Sequence, residues 1–150
     1  MNGVTIREAS EEDIPAVFGV YSSAGIGDED SFTAAEANAH FAKLKQYPSF
    51  RVFVALVDEA VVGTYALLLM DNMAKRSRRA GVVENVAVHP LHQSRGVGRA
   101  MMQHALEQCR QAGCYKLTLS SNLKREDAHR FYDSLGFERH GYSFRIELSK

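Results

Sequence analysis

A run of β-branched residues that passes through a glycine-containing turn into a helical pattern is the feature that most constrains this chain. It reads Val-Val-Glu-Asn-Val-Ala-Val-His-Pro-Leu-His-Gln-Ser-Arg-Gly-Val-Gly-Arg-Ala and spans residues 82–100. β-Branched residues favour a strand, and glycines permit the tight turn before the helix. The first N–H groups of that helix lack intrahelical partners and point towards the turn. The stretch therefore predicts an anion-binding site between a strand and a helix N-terminus.

The apolar patterns on either side of this stretch predict an α/β fold with the element order β-α-α-β-β-β-α-β-α-β-β. Residues 51–57 and 61–70 form two β-prone runs joined by a short polar turn, which indicates antiparallel strands. Helical spacing follows Ser10 and Thr33, each of which precedes acidic residues as an N-cap does. Alternation over residues 142–148 predicts a final strand. Helices packed against a mixed sheet are the expected architecture.

The size and charge of the chain favour a small-molecule partner. Its 150 residues suit a single domain spanning residues 1–150, with a core of its own. Lys and Arg number 18, as do Asp and Glu, so no overall field favours nucleic acid or a membrane surface. The first eight residues lack the pattern of a signal peptide, and no apolar run is long enough to cross a bilayer. We therefore expect a soluble cytoplasmic protein.

Cysteine and histidine spacings predict no metal site. Cys109 and Cys114 are the only cysteines, too few for a zinc site or a disulfide framework, and are interpreted as small core or near-surface residues. The histidines show no metal-binding spacing along a helix and lie at positions 40, 89, 92, 104, 129 and 140.

Two charged loops are ordinary solvated loops on this interpretation. The acidic segment Gly25–Asp30 would favour a cationic substrate if it bordered a pocket. The basic run Lys75–Arg79 is interpreted as a hairpin tip, with contact to a substrate phosphate as the less favoured alternative.

The glycine-containing turn fits neither of two common nucleotide motifs. A dinucleotide fingerprint needs a third glycine where this chain has Met101, and a Walker A loop needs a Gly-Lys-Ser/Thr sequence that is missing. What remains is a Gln-x-x-Gly-x-Gly turn with two arginines, which suits a pyrophosphate because backbone N–H groups and guanidinium groups both donate to it. The predicted anion-binding residues are Gln93, Ser94, Arg95, Gly96, Val97, Gly98 and Arg99.

At these residues the sequence resembles the GNAT N-acetyltransferase superfamily, in which an Arg/Gln-x-x-Gly-x-Gly/Ala turn holds the pyrophosphate of acetyl-CoA. Two further segments match. Residues 86–90 look like the fourth strand of that family and its loop, and residues 128–137 look like its Ala-x-x-x-Tyr-x-x-x-Gly-Phe segment. The resemblance covers essentially the whole chain. It implies a mixed, mostly antiparallel central sheet of six to seven strands, flanked by about four helices.

The resemblance also implies a role for the strand before the turn. In the family, the fourth and fifth strands splay apart, and the pantetheine arm of acetyl-CoA pairs with the backbone of the fourth. Here that backbone belongs to Val86, Ala87 and Val88. The N–H group of Val86 would hold the thioester oxygen, as an oxyanion hole does.

Two side chains are candidates for proton transfer. An alkylammonium with a pKa of about 10.4 is neutral only about one part in a thousand at pH 7, so a base would help. Glu84 is the candidate base, because strand alternation predicts that it shares a face with Val86 and Val88; a substrate-positioning role is an equal alternative. Tyr132 matches the family tyrosine that protonates the departing thiolate, and orienting the sulfur is its alternative role.

One departure from the family concerns an asparagine. The family places Asn three residues before the alanine that aligns with Ala128, where this chain has Arg125, so the cofactor contact is assigned to Asn122 instead. Residues 120–132 resemble aminoalkylphosphonate N-acetyltransferases. Residues 83–86 and 113–116 instead resemble glucosamine-6-phosphate N-acetyltransferases, so the acceptor amine is left unnamed.

The resemblance therefore predicts an enzyme that transfers acetyl from acetyl-CoA to the primary amine of a small molecule, by direct attack in a ternary complex. Acetylation of a protein or peptide, and a non-catalytic CoA-binding regulatory module, are the alternatives. The terminal strand could pair with a second subunit, which leaves a homodimer open.

Overall fold

A computed structural model describes residues 3–26, 33–74, 76 and 78–149 of the chain. The chain divides into two compact units, Met1–Thr118 and Leu119–Lys150. Each unit is described by itself, and the expectation of one domain over residues 1–150 stays a prediction.

The first unit contains a five-stranded sheet, with strands in the spatial order β1-β2-β3-β4-β5. The strands are β1 (Val4–Glu8), β2 (Phe50–Val57), β3 (Ala60–Met70), β4 (Arg79–Val88) and β5 (Cys114–Thr118). Neighbouring strands are antiparallel except β4 and β5, which are parallel. The prediction of a mixed, mostly antiparallel sheet is confirmed.

The described residues contain four α-helices, as predicted. The first unit holds α1 (Ile14–Ser23), α2 (Ala34–Leu44) and α3 (Val97–Gln111), and the second holds α4 (Glu126–Ser134). Local capping explains two of the starts. Ser10 and Asp13 form a capping box ahead of α1, and Thr33 and Glu36 form another at the start of α2.

The core of the first unit lies on both faces of the sheet. On one face, residues of α1 and α2 join a cluster with Val54 of β2; its members are Ala9, Ile14, Val17, Ala37, Phe41 and Val54. The other face packs against α3, whose side chains at helical spacing are fully buried at Met101 and Ala105. The sheet is therefore covered on both faces, and α3 is the next α-helix after the strand that carries the predicted site.

Two glycines allow α3 to approach the sheet. A Cβ atom at Gly81 would lie 2.5 Å from Sγ of Cys109, and one at Gly63 would lie 3.0 Å from Cγ1 of Val97. Both distances are shorter than ordinary van der Waals contact, so a side chain at Gly81 would displace its neighbours and one at Gly63 would require the Val97 side chain to shift. The register of β3 with β2 shifts next to Gly63, because Leu56 pairs with Val61 while Ala55 pairs with Gly63.

The predicted strand at Tyr142–Leu148 is not a strand in this structure. The described chain has five strands, so the expectation of six to seven is wrong in number. Alternation of apolar residues describes which side chains share a face, but a strand also needs a neighbour for its backbone groups. Residues 138–149 have no helix or strand assignment, and all of them are exposed.

The charged loops fall largely outside the described residues. The acidic segment Gly25–Asp30 is described only at Gly25 and Ile26. In the basic run, Lys75 and Ser77 are outside the description, while the guanidinium group of Arg78 lies 5.2 Å from the ring centre of Tyr115.

The remaining expectations about composition concern cysteines, metals and membranes. Cys109 is buried and Cys114 is half-buried, both as free thiols, which confirms their interpretation. Within the described residues, no three His, Cys, Asp or Glu side chains form a group that could hold a metal ion. Over the same part of the chain, no helix combines the length and apolar character that a membrane span requires.

Candidate active site

The second half of β4 has a strand partner on only one side among the described residues. Its register with β5 ends at the pair Val82 and Thr118, whereas its register with β3 continues to the pair Val88 and Gly63. Beyond Val82, backbone groups on the β5 side of β4 are therefore available to something other than a strand of this sheet. Val86, Ala87 and Val88 lie in this half, as predicted.

A bulge interrupts the same half of β4. Ala66 of β3 pairs with Glu84 and Thr64 pairs with Ala87, so two β4 residues oppose one β3 residue between these pairs. Asn85 lies inside the bulge with φ of 54°, in the left-handed region that asparagine tolerates better than most residues. A bulge adds twist to its strand, which is consistent with β4 leaving β5 after Val82.

The bulge changes which side chains of β4 share a face. Glu84 pairs with Ala66 and Ala87 with Thr64, and those two β3 residues lie on one face because they are two positions apart. Val88 pairs with Gly63, on the opposite face. The prediction that Glu84 and Val88 share a face is therefore wrong, because simple alternation does not hold across the extra residue.

Glu84 lies on the sheet face that α1 covers, and its side chain is exposed. On that face, Tyr21 of α1 forms a side-chain hydrogen bond with Thr64, next to the bulge. The Thr64 hydroxyl is fully buried and donates to the carbonyl of Phe53 over 2.8 Å. Burial raises the pKa of Tyr21, so its hydroxyl keeps its proton.

Sequence reasoning missed both Tyr21 and Asn85. Tyr21 has the sequence spacing of the apolar face of α1, and its ring does pack against the core cluster. The hydroxyl group of Tyr21 is the sequence feature that sets it apart from the other residues of that face. Asn85 was treated as an ordinary strand residue, although asparagine is uncommon inside strands and is enriched at positive φ.

The connection from β4 to α3 is held by local hydrogen bonds. The side-chain amide of Gln93 donates to the carbonyl of Val88 over 3.3 Å, and Nδ1 of His89 accepts from the N–H of Leu91 over 3.2 Å. Ser94 has φ of 61° and Gly96 has φ of 85°, so the chain turns sharply twice before α3 begins. Gln93 was predicted to contact an anion; in this structure its amide group ties the turn to the end of β4.

The first N–H groups of α3 have no side-chain cap and no acceptor within the helix. Gly96 is the N-cap residue, so no side chain caps the helix, and its first turn has no acidic residue. The first helical bond at this end runs from the N–H of Ala100 to the carbonyl of Gly96, over 3.0 Å. The N–H groups of residues 97–99 are left, by helix geometry, for an external acceptor.

The charge at this end of α3 suits an anion. Aligned peptide dipoles place a partial positive charge at a helix N-terminus. Arg95 and Arg99 flank it with exposed side chains, whereas Val97 is buried and fixes the helix on the sheet. The predicted residues Ser94, Gly96 and Gly98 lie in the same turn and first helical residues. The structure therefore brings the predicted turn together as one basic helix start.

Two open grooves of the first unit lie elsewhere. One, of about 720 Å³, is lined by residues from α2, the start of β2 and the C-terminal end of α3. The other, of about 850 Å³, lies between α1 and the start of α2. Neither is lined by any predicted site residue. The predicted site therefore lies apart from both grooves, at the second half of β4 and the start of α3.

In the second unit, Asn122 forms local bonds. Its side-chain oxygen accepts from the N–H of Lys124 over 2.9 Å, and its carbonyl accepts from the N–H of Arg125 over 3.0 Å. Nε2 of His129 lies 2.8 Å from the same carbonyl. Asn122 thus shapes the turn into α4, and its assignment to the cofactor stays a prediction.

Tyr132 lies on α4 among aromatic rings. Its ring centre is 5.2 Å from that of Phe131 and 5.7 Å from that of Phe137. Burial raises the pKa of the Tyr132 hydroxyl, an effect that the positive charge of Arg125 opposes. At neutral pH the hydroxyl is therefore a proton donor.

Comparison with known sequences places these observations in a family. The sequence model of the Acetyltransferase (GNAT) family matches residues 22–137. This range includes β2 to β5 and α2 to α4, and so both the turn before α3 and the α4 segment.

Two curated relatives and one solved structure are similar to the chain. A glucosamine 6-phosphate N-acetyltransferase from Trypanosoma brucei brucei is 32% identical over 98 residues, which are 65% of each protein. An aminoalkylphosphonate N-acetyltransferase from Salmonella typhimurium is 31% identical over 101 residues, which are 67% of this chain and 65% of the relative. The chain thus spans 65% of the length of both relatives. The structure of a candidate acetyltransferase from Agrobacterium tumefaciens is 31% identical, with a TM-score of 0.89 over 95% of this chain and 99% of that one.

Proposed function

Because the chain belongs to the Acetyltransferase (GNAT) family, we propose that it transfers the acetyl group of acetyl-CoA to the primary amine of a small molecule. The observation that carries this proposal is the start of α3, a basic helix N-terminus without a side-chain cap, next to a strand with an open backbone edge. The thioester of acetyl-CoA supplies an acyl group that an amine can attack directly.

The start of α3 would bind the pyrophosphate of acetyl-CoA. The N–H groups of residues 97–99 donate to it, and Arg95 and Arg99 add charge-assisted bonds. Gly96 allows the backbone to approach closely because it has no side chain. A bound anion would also stabilise α3, since it compensates the N–H groups that the chain leaves without acceptors.

The second half of β4 would bind the pantetheine arm through its backbone. Its register with β5 ends at Val82, so an extended amide chain can take the place of a strand beside Val86, Ala87 and Val88. The N–H group of Val86 is assigned to the thioester oxygen, where negative charge develops as the amine attacks. This role is a backbone role, and the Val86 side chain does not enter it.

Two side chains are assigned to proton transfer. Glu84 is exposed on the face of the sheet that α1 covers, where it would accept the proton of the substrate ammonium group or hold that group by charge. Tyr132 keeps its proton at neutral pH and would donate it to the CoA thiolate. Asn122 is kept as a further contact to the cofactor.

The proposed substrate is a small primary amine. Both curated relatives are named for small amines that carry a phosphate or phosphonate group. The alternatives are acetylation of a protein or peptide and binding of CoA without turnover. The experiment below distinguishes them from the proposal.

The test is the release of free thiol from acetyl-CoA in the presence of single acceptors. The panel contains amino-sugar phosphates, aminophosphonates, polyamines and peptides with free N-termini. We expect release with at least one small amine and none with the peptides. Release with peptides alone would replace the small-molecule assignment, and CoA binding without release from any acceptor would refute the enzymatic one.

A variant of Tyr132 separates chemistry from binding. We expect Tyr132→Phe to lower kcat by about 100-fold or more, because a positioned proton donor is lost, with acetyl-CoA affinity unchanged. Tyr47→Phe is the matched control, since Tyr47 is 54% exposed and belongs to no predicted site. Thiol release and calorimetry with CoA give the two readouts. Equal turnover of Tyr132→Phe and wild type would assign Tyr132 to packing alone.

A further inference from the structure

The two cysteines of the chain lie on either side of the turn that ends α3, within the first unit. Ala112 is the C-cap residue of the helix, and Gly113 follows it with φ of 75°. The N–H of Gly113 donates to the carbonyl of Arg110 over 3.1 Å, as in helices that end at a left-handed glycine. At such ends the side chain after the glycine contacts the third residue from the end of the helix. Those two positions are Cys114 and Cys109.

A bulge in β5 sets the face on which Cys114 lies. Arg79 of β4 pairs with Cys114. Gly81, two residues further along β4, pairs with Leu117, three residues further along β5, so Tyr115 is an extra residue between these pairs. Arg79 and Gly81 share a face of the sheet by alternation, and their partners lie on that face with them. Without the bulge, Cys114 and Leu117 would lie on opposite faces.

The sulfur of Cys109 lies against the same face of the sheet. A Cβ atom at Gly81 would be 2.5 Å from Sγ of Cys109, so α3 packs over this part of β4. The Cys109 thiol also forms a side-chain hydrogen bond with Cys114. The helix end, the bulge and this bond together place the two thiols in direct contact. Only a short approach of the sulfurs then separates them from the S–S bond length of about 2.05 Å.

The two thiols differ in access and in charge. Cys114 is half-buried, whereas Cys109 is buried. Burial raises the pKa of Cys109, and negative charge on Cys114 raises it further. An oxidant therefore reaches Cys114 first, while Cys109 keeps its proton beside it. An accessible cysteine next to a second one that can resolve its oxidised form is the arrangement of a redox-responsive pair.

We propose that Cys109 and Cys114 are a modification site, at which a hydroperoxide drives formation of a reversible disulfide that ties the end of α3 to the start of β5. With hydrogen peroxide, the Cys114 thiolate breaks the O–O bond, becomes a sulfenic acid and releases hydroxide, which takes up a proton to give water. The Cys109 sulfur then attacks the Cys114 sulfur. The S–S bond forms, the S–O bond breaks, and the hydroxyl group leaves as water with the Cys109 proton. Two electrons pass from the sulfurs to the peroxide, and a dithiol reductant returns them.

Mass spectrometry of the folded protein after treatment with hydrogen peroxide tests the proposal. We expect wild type to stay monomeric, to lose two hydrogen atoms and to regain them with dithiothreitol. Cys109→Ala should instead gain oxygen at Cys114 and be trapped by dimedone, because the resolving thiol is missing. Cys114→Ser should react about 10-fold more slowly or less, because its remaining thiol is buried. Wild type that only gains oxygen, or that forms disulfides only between chains, would overturn the proposal.

A displaced cysteine tests whether the fold, rather than proximity along the chain, directs the disulfide. Cys114→Ser with Lys116→Cys moves the second thiol to an exposed position opposite Ala80, on the other face of the sheet. The folded double variant should gain oxygen without forming the internal disulfide. In urea it should form that disulfide at a rate similar to wild type, because loops of such similar length close almost equally well. Equal disulfide yields from the two folded proteins would refute the proposal. None of these measurements uses acetyl-CoA, so their result is independent of the proposed function.

Discussion

Gly96 is the residue on which the geometry of the proposed anion site depends most. With φ of 85° it lies in the left-handed region, which costs roughly 1–2 kcal/mol for residues with a side chain. It is also the N-cap of α3, so its backbone adjoins the N–H groups proposed to hold pyrophosphate. A side chain at this position therefore has two separate effects, one on folding and one on the approach of a ligand.

We predict that Gly96→Ala weakens acetyl-CoA binding by about 10-fold or more, because the methyl group keeps a phosphate from the N–H donors. Gly113→Ala is the matched control. Gly113 follows the other end of α3 with φ of 75°, and a Cβ atom there would contact nothing within 4 Å. Both variants should lose similar stability in urea, and only Gly96→Ala should lose affinity in calorimetry. Equal affinities would remove the pyrophosphate from this turn.

Single residues differ in how well the sequence predicts them. The tight turn at Gly96 could be predicted, because two glycines between a strand and a helix indicate a sharp change of chain direction. The bulge at Asn85 could not be predicted from the sequence. It arises where β4 pairs with Tyr65 and its neighbours on β3, and only this pairing shows that the side-chain alternation of β4 is interrupted. The sequence therefore predicts the strand of Glu84 correctly, but the register of the sheet is needed to assign the face on which its side chain lies.

At the scale of elements, the packing of α3 on the sheet is fixed by a missing side chain. Gly81 of β4 faces Cys109 of α3 and Leu117 of β5, with no room for a methyl group. The contact lies at the end of α3 opposite the proposed anion site. A change there should disturb the position of α3 without touching any residue assigned to acetyl-CoA.

We predict that Gly81→Ala destabilises the fold by about 1–3 kcal/mol, because its Cβ atom would lie 2.5 Å from Sγ of Cys109 and 3.1 Å from Cδ1 of Leu117. Denaturant unfolding measures the loss. A second substitution, Cys109→Ala, removes the nearer atom and should recover part of it in a double-mutant cycle. Gly19→Ala serves as the control: Gly19 lies inside α1 with no atom within 4 Å, so alanine should be neutral or stabilising. A strictly additive cycle would contradict the proposed clash.

Elements with local signals were predicted well and those with distant partners were not. α2 starts at a capping box at Thr33, and a second box at Ser10 caps the short 3₁₀ turn that leads into α1, each contained within four residues. The final strand failed, because alternation over residues 142–148 is a local property whereas strand pairing is not. The parallel pairing of β4 and β5 likewise depends on residues more than 30 positions apart.

At the scale of the whole molecule, two titrating groups link stability to pH. Asp13 accepts two bonds from the Arg7 guanidinium group and one from the N–H of Ser10, which together lower its pKa to about 2 despite burial. His104 lies on the face of α3 that packs on the sheet, with Nδ1 2.7 Å from the Tyr65 hydroxyl and its ring centre 4.9 Å from that of Phe53. Burial lowers the pKa of His104, and the charge of Arg51 lowers it further.

We predict two separate losses of stability on acidification. His104 takes up a proton more readily in the unfolded chain, so its contribution is present above a pH of about 6.5 and is lost as the pH falls below that value. The Asp13 contribution of about 1–2 kcal/mol is present above a pH of about 4 and is lost as the pH falls towards 2. Thermal unfolding from pH 8 to pH 2 should show both steps.

A separate variant tests each of these two losses of stability. His104→Gln should flatten the first step and leave the second, and Asp13→Asn should do the reverse while lowering stability at neutral pH. Unfolding curves of His104→Gln that retain the wild-type step near pH 6 would assign that step to another histidine.

The family of the chain was recognisable from two short motifs, whereas the division into units was not. The turn at residues 93–98 and the segment at 128–137 lie in different units of the structure. Composition and periodicity carry no signal for that division, because the segment after β5 has the same alternation of helix and strand patterns as the rest.

The edge of β4 beyond Val82 has a consequence for how this protein tolerates genetic change. What that edge offers is main-chain amide and carbonyl groups, which every residue except proline supplies alike. Substitutions at Val86 or Val88 that keep the fold would leave these backbone groups in place, and only proline would remove an N–H donor. Under the proposed function, side chains around the edge would therefore be free to diversify under selection for new acceptors, while the proposed backbone contacts to the acyl donor would be kept.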